Sequence, residues 1–295
     1  MPIDNSLLEG CHAIIPGLAT SYGYIPSRAA GITFCVLFAL TLIGHLFRSI
    51  QYRTWSSYLL TIAAATEILG WAGRTWNSKC PYNNHAFLMQ ITTLVIAPVF
   101  VAAAIYVVFG YLIRHRDRDE QYSLLKPKLY LWVFCTCDVI ALLIQASGAG
   151  VASHQFNTGG NTTGGTHIVA GGIIFQLATM TCFLSCVVYF LVKSRNLPIS
   201  RQEGLVLGAM IVSYITIYIR SVYRAVALLQ GWRGELTTHE RYFIALDGSM
   251  LVIALAVFNF LDPVVLLGVN KKQPRASVTT EAEIDLTSTT NGLGK

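Results

Sequence analysis

The chain has 295 residues, of which 54% are apolar and 12% charged, and its formal net charge is +6. A soluble domain carries about 25% charged residues, so half the expected charge is missing, and a mean hydropathy of +0.53 points to lipid as the solvent. This composition excludes a disordered chain, a disulfide-dense secreted scaffold and a nucleic-acid binder.

Apolar stretches of about 20 residues, enough to cross a hydrocarbon core as a helix, recur seven times. They lie near 29–48, 56–76, 87–113, 129–151, 168–192, 204–229 and 242–268. The expected fold is an all-α membrane protein, a bundle of seven transmembrane helices spanning 29–268. Residues 1–28 precede it as an extracellular segment. They include Asp4, Glu9, Pro16 and Pro26 and lack the basic and apolar regions of a signal peptide, so the first helix is expected to start insertion. Residues 269–295 form a Ser/Thr-rich tail that reads as disordered, cytoplasmic and phosphorylatable.

Orientation follows from Lys and Arg in the loops. One set of loops holds Arg48, Arg53, Arg114, Arg116, Arg118, Lys126, Lys128, Lys193, Arg195, Arg201, Lys271, Lys272, Arg275 and Lys295, fourteen in all. The other holds Arg28, Arg74, Lys79, Arg233 and Arg241. The bias places the N-terminus outside and the C-terminus in the cytoplasm, so the net charge is mostly a topology signal. Asn161-Thr162-Thr163 is a glycosylation sequon in a loop this topology puts outside. Cys11 and Cys80 also fall outside, where disulfides persist. A Cys11–Cys80 bridge is expected, with two unrelated cysteines as the alternative. Cys35, Cys135, Cys137, Cys182 and Cys186 lie within spans and read as packing residues.

Polar side chains within the spans carry the functional information, because each costs at least about 2.5–3.5 kcal/mol to insert. They are Glu67 and Arg74 in the second span, Gln90 in the third, Asp138 and Gln145 in the fourth, and Gln176 in the fifth. Arg220 and Arg224 lie in the sixth, Asp247 in the seventh, and Glu240 just before it. Glu67/Arg74, Asp138/Gln145 and Glu240/Asp247 are each seven residues apart, two turns and about 10.5 Å along one helix face. Arg220 and Arg224 are one turn apart. The stripes cluster in the outer half of the bundle and predict a polar cavity there, beside a kink at Pro98. The alternative is an ion-pair lattice in which Glu67, Asp138 and Asp247 neutralise Arg74, Arg220 and Arg224. Gly204 and Gly208, Gly148 and Gly150, and Gly171 and Gly172 read as helix-packing or hinge positions, and the tryptophans as an interfacial belt. No nucleotide loop, zinc motif, serine elbow or retinal lysine is present.

The runs Tyr24-Ile-Pro-Ser27, Glu67-Ile-Leu-Gly-Trp-Ala-Gly-Arg74 and Gln90-Ile-Thr-Thr-Leu-Val-Ile-Ala-Pro-Val-Phe-Val-Ala-Ala-Ala-Ile-Tyr106 carry a resemblance. With them go Asp138, Gln145, Gly172 through Gln176, Arg220-Ser-Val-Tyr-Arg224, and Glu240 through Asp247. The chain resembles the fungal lipid-translocating exporter family, the RTA-like seven-span resistance proteins. The resemblance implies release of sphingoid long-chain bases, phospholipid asymmetry or resistance to toxic amphiphiles, with a related branch linked to porphyrin uptake. The loop at 230–239 fits the pattern loosely.

The expectation is a non-enzymatic transporter that moves an amphiphilic lipid through the outer polar cavity, with no cofactor, metal or nucleic acid. The plasma membrane is the expected location. Acids would attract an amine, glutamines would bond hydroxyls, and arginines would balance the acids or hold phosphate. Two alternatives stand beside it: a seven-span receptor that senses an amphiphile, and a membrane-embedded hydrolase using Asp138 or Asp247 with loop histidines.

Overall fold

The computed structural model describes residue 11 and residues 24–117, 121–157, 163–230 and 234–269. Six long helices come first: α1 (Arg28–Tyr52), α2 (Trp55–Asn77), α3 (Asn84–Arg116), α4 (Pro127–Asn157), α5 (Thr163–Lys193) and α6 (Arg201–Leu229). A short α7 (Glu235–Thr238) leads to a broken last helix. That helix consists of α8 (Glu240–Phe243), a π-helical turn (Ile244–Gly248), α9 (Ser249–Phe260) and α10 (Pro263–Leu266). Six segments are long and apolar enough to cross a membrane: α1, α3, α4, α5, α6 and the stretch Glu240–Leu266. Helix α2, with two Ser, three Thr, Glu67 and Arg74, is not one of them. The protein is an all-helical, multi-pass membrane protein among its described residues.

Several helices outrun the apolar stretches that announce them. Helix α4 starts at Pro127, and α3 continues to Arg116. Apolarity measures the depth of lipid, whereas caps decide where a helix ends. Ser27 accepts from the Ala30 amide at 3.3 Å to start α1. Ser200 and Glu203 form a reciprocal capping box at the start of α6.

Sequence neighbours pack side by side, and α1 meets α9 to close the ring. Helix α3 sits at the centre, against α2, α4, α6 and α9, and is the most buried of the long helices. Between helices in lipid there is little hydrophobic drive, so close approach of small residues supplies the attraction. A Cβ on Gly70 would strike Leu94, one on Gly73 would strike Ala86 and Met89, and one on Gly165 would strike Ala152. Gly148 and Gly172 seat α4 against α5 in the same way. The expectation for Gly204 and Gly208 is corrected. A Cβ on Gly208 would meet nothing within 4 Å, and one on Gly204 only Ile199 at 3.9 Å, so this GxxxG packs no helix here. Gly150 and Gly171 also face open space. Trp55, Trp76 and Trp132 are exposed as a belt would be, but Trp71 is wholly buried and stacks on Phe34 at 4.1 Å. The sequon at Asn161, Trp232, Arg233 and the tail from 270 lie outside the described residues.

The chain enters α1 at one end of the bundle, here the entry end, and leaves the last helix at the opposite, exit end. Cys11 and Cys80 are joined by a disulfide, with Cα atoms 4.3 Å apart, which ties the N-terminal segment to the turn after α2.

Candidate functional site

Helix α2 presents Glu67, Trp71 and Arg74 at positions i, i+4 and i+7, all buried. Gly70 and Gly73, on the side facing α3, let that helix come close enough to enclose the row. On α6, Arg220, Ser221 and Arg224 turn toward the same space. The last helix supplies Asp247 from within its π turn, a local widening that is frequent at functional sites. Gly248 follows, where a Cβ would come within 2.5 Å of Trp71 and 2.9 Å of Phe34.

Asp247 anchors the centre. Its Oδ1 accepts from Arg224 Nε at 2.9 Å and lies 3.2 Å from Arg220 Nε, and its Oδ2 accepts from Arg220 Nη2 at 3.2 Å. Arg220 Nη2 also donates to the Leu94 carbonyl at 2.6 Å. Glu67 accepts from Trp71 Nε1 at 3.2 Å through Oε2, while its Oε1 has no partner among the described residues. It stands within electrostatic reach of Arg220, Arg224 and Asp247, so two carboxyls and two guanidiniums share one buried locus.

One layer nearer the entry end, Arg74 is 1% exposed and donates through Nη2 to Glu240 Oε1 and to the Tyr24 hydroxyl, both at 2.8 Å. Phe243 lies against the same guanidinium, 4.5 Å from ring centroid to Cζ. Glu240 Oε1 also accepts from the Ser27 amide at 2.8 Å, which clasps the start of α1 to the start of the last helix. Burial pushes the Tyr24 phenol above its ordinary value, so Arg74 meets a neutral hydroxyl.

Gln145 and Gln176 join across α4 and α5, Nε2 to Oε1 at 3.2 Å. With Val95, Pro98, Ile173, Arg220, Ser221 and Arg224 they line a cavity of about 20 Å³, room for about one water. Gln90 is buried near the start of α3. Asp138 stands apart, two turns from Gln145 along α4. Its Oδ2 accepts from the Tyr106 hydroxyl at 3.0 Å, its Oδ1 has no partner, and no cation lies within ion-pair distance among the described residues. Aromatic rings pack around that pair: Phe134 and Phe183 lie 5.5 and 4.6 Å from Tyr106, and Tyr214 lies 6.0 Å from Phe183.

The structure therefore gathers Glu67, Arg220, Arg224 and Asp247, sets Gln145 and Gln176 beside them, and separates Arg74 with Glu240 and Asp138 with Tyr106. Where the sequence predicts a polar cavity, guanidinium and carboxyl groups pair and leave a space of about 20 Å³. The ion-pair alternative leaves the partners open: Asp247 takes both Arg220 and Arg224, Arg74 goes to Glu240, and Asp138 pairs with no arginine among the described residues. Sequence reasoning missed Tyr106, Trp71, Phe34 and Phe243 as members of these clusters. Tyr106 ends the motif that begins at Gln90, and its place in that run was the available signal. A further polar group at the exit end was also missed, where Glu203 receives His115 Nδ1 at 2.8 Å and Arg116 bonds the Ser194 and Leu197 carbonyls. No group of three or more His, Cys, Asp and Glu side chains among the described residues is placed to hold a metal.

The model of the family described as RTA1 like protein matches residues 60–270. The sphingoid long-chain base transporter RSB1 of Saccharomyces cerevisiae is 30% identical over 296 aligned residues, covering 88% of this chain and 77% of that protein. Protein RTA1 of the same yeast is 27% identical, covering 83% of this chain and 85% of its own. Protoporphyrin uptake protein 1 is 26% identical, covering 81% and 90%. No solved structure matches the chain.

Proposed function

The chain belongs to the RTA1-like family, and we propose on that premise that it translocates, or promotes the release of, amphiphilic lipids with sphingoid long-chain bases as the leading class. The seven helical passes span the bilayer with the N-terminus outside, residues 29–268 form the membrane domain, and the protein works in the plasma membrane. The observation that carries the reading is the shared locus of Arg220, Arg224, Asp247 and Glu67 beside the Gln145–Gln176 pair. It offers a carboxyl with one free oxygen and two amides at membrane depth, partners suited to an ammonium and to hydroxyls. In this resting arrangement the space holds about one water, so passage of a headgroup requires α5 and α6 to move apart from α3. With no nucleotide-binding loop in the sequence, movement is downhill or ion-coupled.

The closed core favours one second reading, a seven-helix receptor that binds an amphiphile and changes shape without passing it. Reconstitution separates the two. Purified protein in proteoliposomes should accelerate the movement of a fluorescent long-chain base between leaflets over protein-free vesicles. A receptor should bind the base and leave that rate unchanged.

A further inference from the structure

Outside the polar core, a groove of about 650 Å³ runs between α1 and α9 on the membrane-facing side of the bundle. Its walls are Leu37, Leu40 and Phe47 on α1 and Val252, Ala256 and Phe260 on α9. From Leu37 to Gln51 it extends about 21 Å along the helix. That is more than half of a hydrocarbon core about 30 Å thick, and it lies in the exit-end half, which the proposed topology makes cytoplasmic.

Its floor is fixed by polar stitching. Gly44 lets Asn259 press against α1, where a Cβ would collide with the amide. Asn259 Nδ2 donates to the Thr41 carbonyl at 3.1 Å, and Arg48 Nη1 donates to Asn259 Oδ1 at 3.0 Å. Arg48 Nε pairs with Asp262 at 3.1 Å. These bonds hold α1 and α9 together beneath the groove, so it is a built feature of the fold. At its mouth the Arg48 charge is already balanced by Asp262, and Gln51 is exposed beside it. The rim is near neutral and offers hydrogen bonds. It suits a small hydroxylated head better than a phosphate, which would call for an uncompensated cation.

The walls are apolar and the groove faces hydrocarbon, so an acyl chain fills it rather than water. The volume equals about 22 waters at ~30 Å³ each. A methylene takes up about as much room as a water, so the groove has room for one long chain.

We propose that the α1–α9 groove seats the tail of a single-chain amphiphile, its polar head at Gln51. The groove would load substrate laterally from the leaflet opposite the polar locus. The proposal rests on the translocation reading for the class of occupant and on the groove itself for the site.

The test uses the full chain in nanodiscs with a long-chain base carrying a diazirine near the end of its tail, beside a diazirine-labelled phosphatidylcholine. After irradiation, adducts of the base should concentrate on peptides covering 37–47 and 252–260. They should fall about tenfold in Ala256→Trp, which fills the groove, while phosphatidylcholine labels the lipid-facing sides evenly. Leu40→Trp, on the opposite wall, serves if Ala256→Trp does not yield folded protein. Even labelling by the base around the bundle overturns the proposal, as does labelling unchanged in the filled variants or stronger labelling of the groove by phosphatidylcholine. The readout needs no transport. Groove labelling without flux would sink the translocation reading alone, and flux with even labelling would sink the groove alone.

Discussion

The protein buries carboxyls in two contrasting settings. Asp247 is held between two guanidiniums and accepts a hydrogen bond from each. Asp138 has one phenol for company and a wall of aromatic rings. In the first, removal of the carboxylate strands the buried Arg220, which is how a scaffold behaves, whereas Arg220 still holds Asp247 when Arg224 is removed. The second is a single group with an unused oxygen and no counter-charge among the described residues, so it is free to exchange partners. Buried charge in one bundle therefore serves two ends, and partner count distinguishes them better than depth or residue type.

Asp247→Ala should have the largest effect. It leaves Arg220 buried without its carboxylate and should cost about 3–5 kcal/mol, read as a fall in thermal unfolding temperature of the detergent-solubilised protein. An unchanged unfolding temperature would remove the scaffold role. Loss of the Cys11–Cys80 bridge in Cys80→Ser should cost about 2–4 kcal/mol, measured the same way, and it should leave the Asp247 and Asp138 settings intact. Gly165→Leu, pressed against Ala152, should cost about 1–3 kcal/mol by overpacking α4 against α5. Its signature is lower yield of monodisperse protein on size exclusion. Asp138→Asn should be the mildest for stability, under about 1 kcal/mol, because the amide oxygen still accepts from Tyr106. It should nonetheless impair translocation. A loss of stability as large as that of Asp247→Ala would put Asp138 in the scaffold as well.

Much of this was readable from the residues, for particular reasons. The apolar runs located the helices because the bilayer imposes one length on every crossing. Seven-residue spacing brought Glu67 and Arg74 onto one buried face of α2, as helix geometry requires. What spacing could not tell is which partner across the bundle each group would choose. Arg74 finds Glu240 because the last helix begins with a separate short turn, and Asp247 reaches two arginines from a π turn that no local propensity announces. Gly208 shows the reverse error. Its motif is that of a packing site, but the face it lies on turns to lipid, and a pattern on one helix does not reveal where the neighbour stands. How much open space the polar groups leave was not legible for a related reason. Polar groups converging from several helices satisfy one another when they can, and a wet chamber needs a deficit of partners that only the coordinates show.

The most direct test of the account is the rate at which reconstituted protein moves a fluorescent long-chain base between leaflets, for the wild type beside Asp138→Asn and Arg224→Gln, each first shown to be folded. Arg224 lines the small cavity, and Arg220 remains to hold Asp247 when it is replaced. The account predicts clear acceleration by the wild type over protein-free vesicles and a loss of about tenfold, or 1.4 kcal/mol, in each variant. A wild-type rate equal to that of empty vesicles, or full activity in both variants, would contradict it.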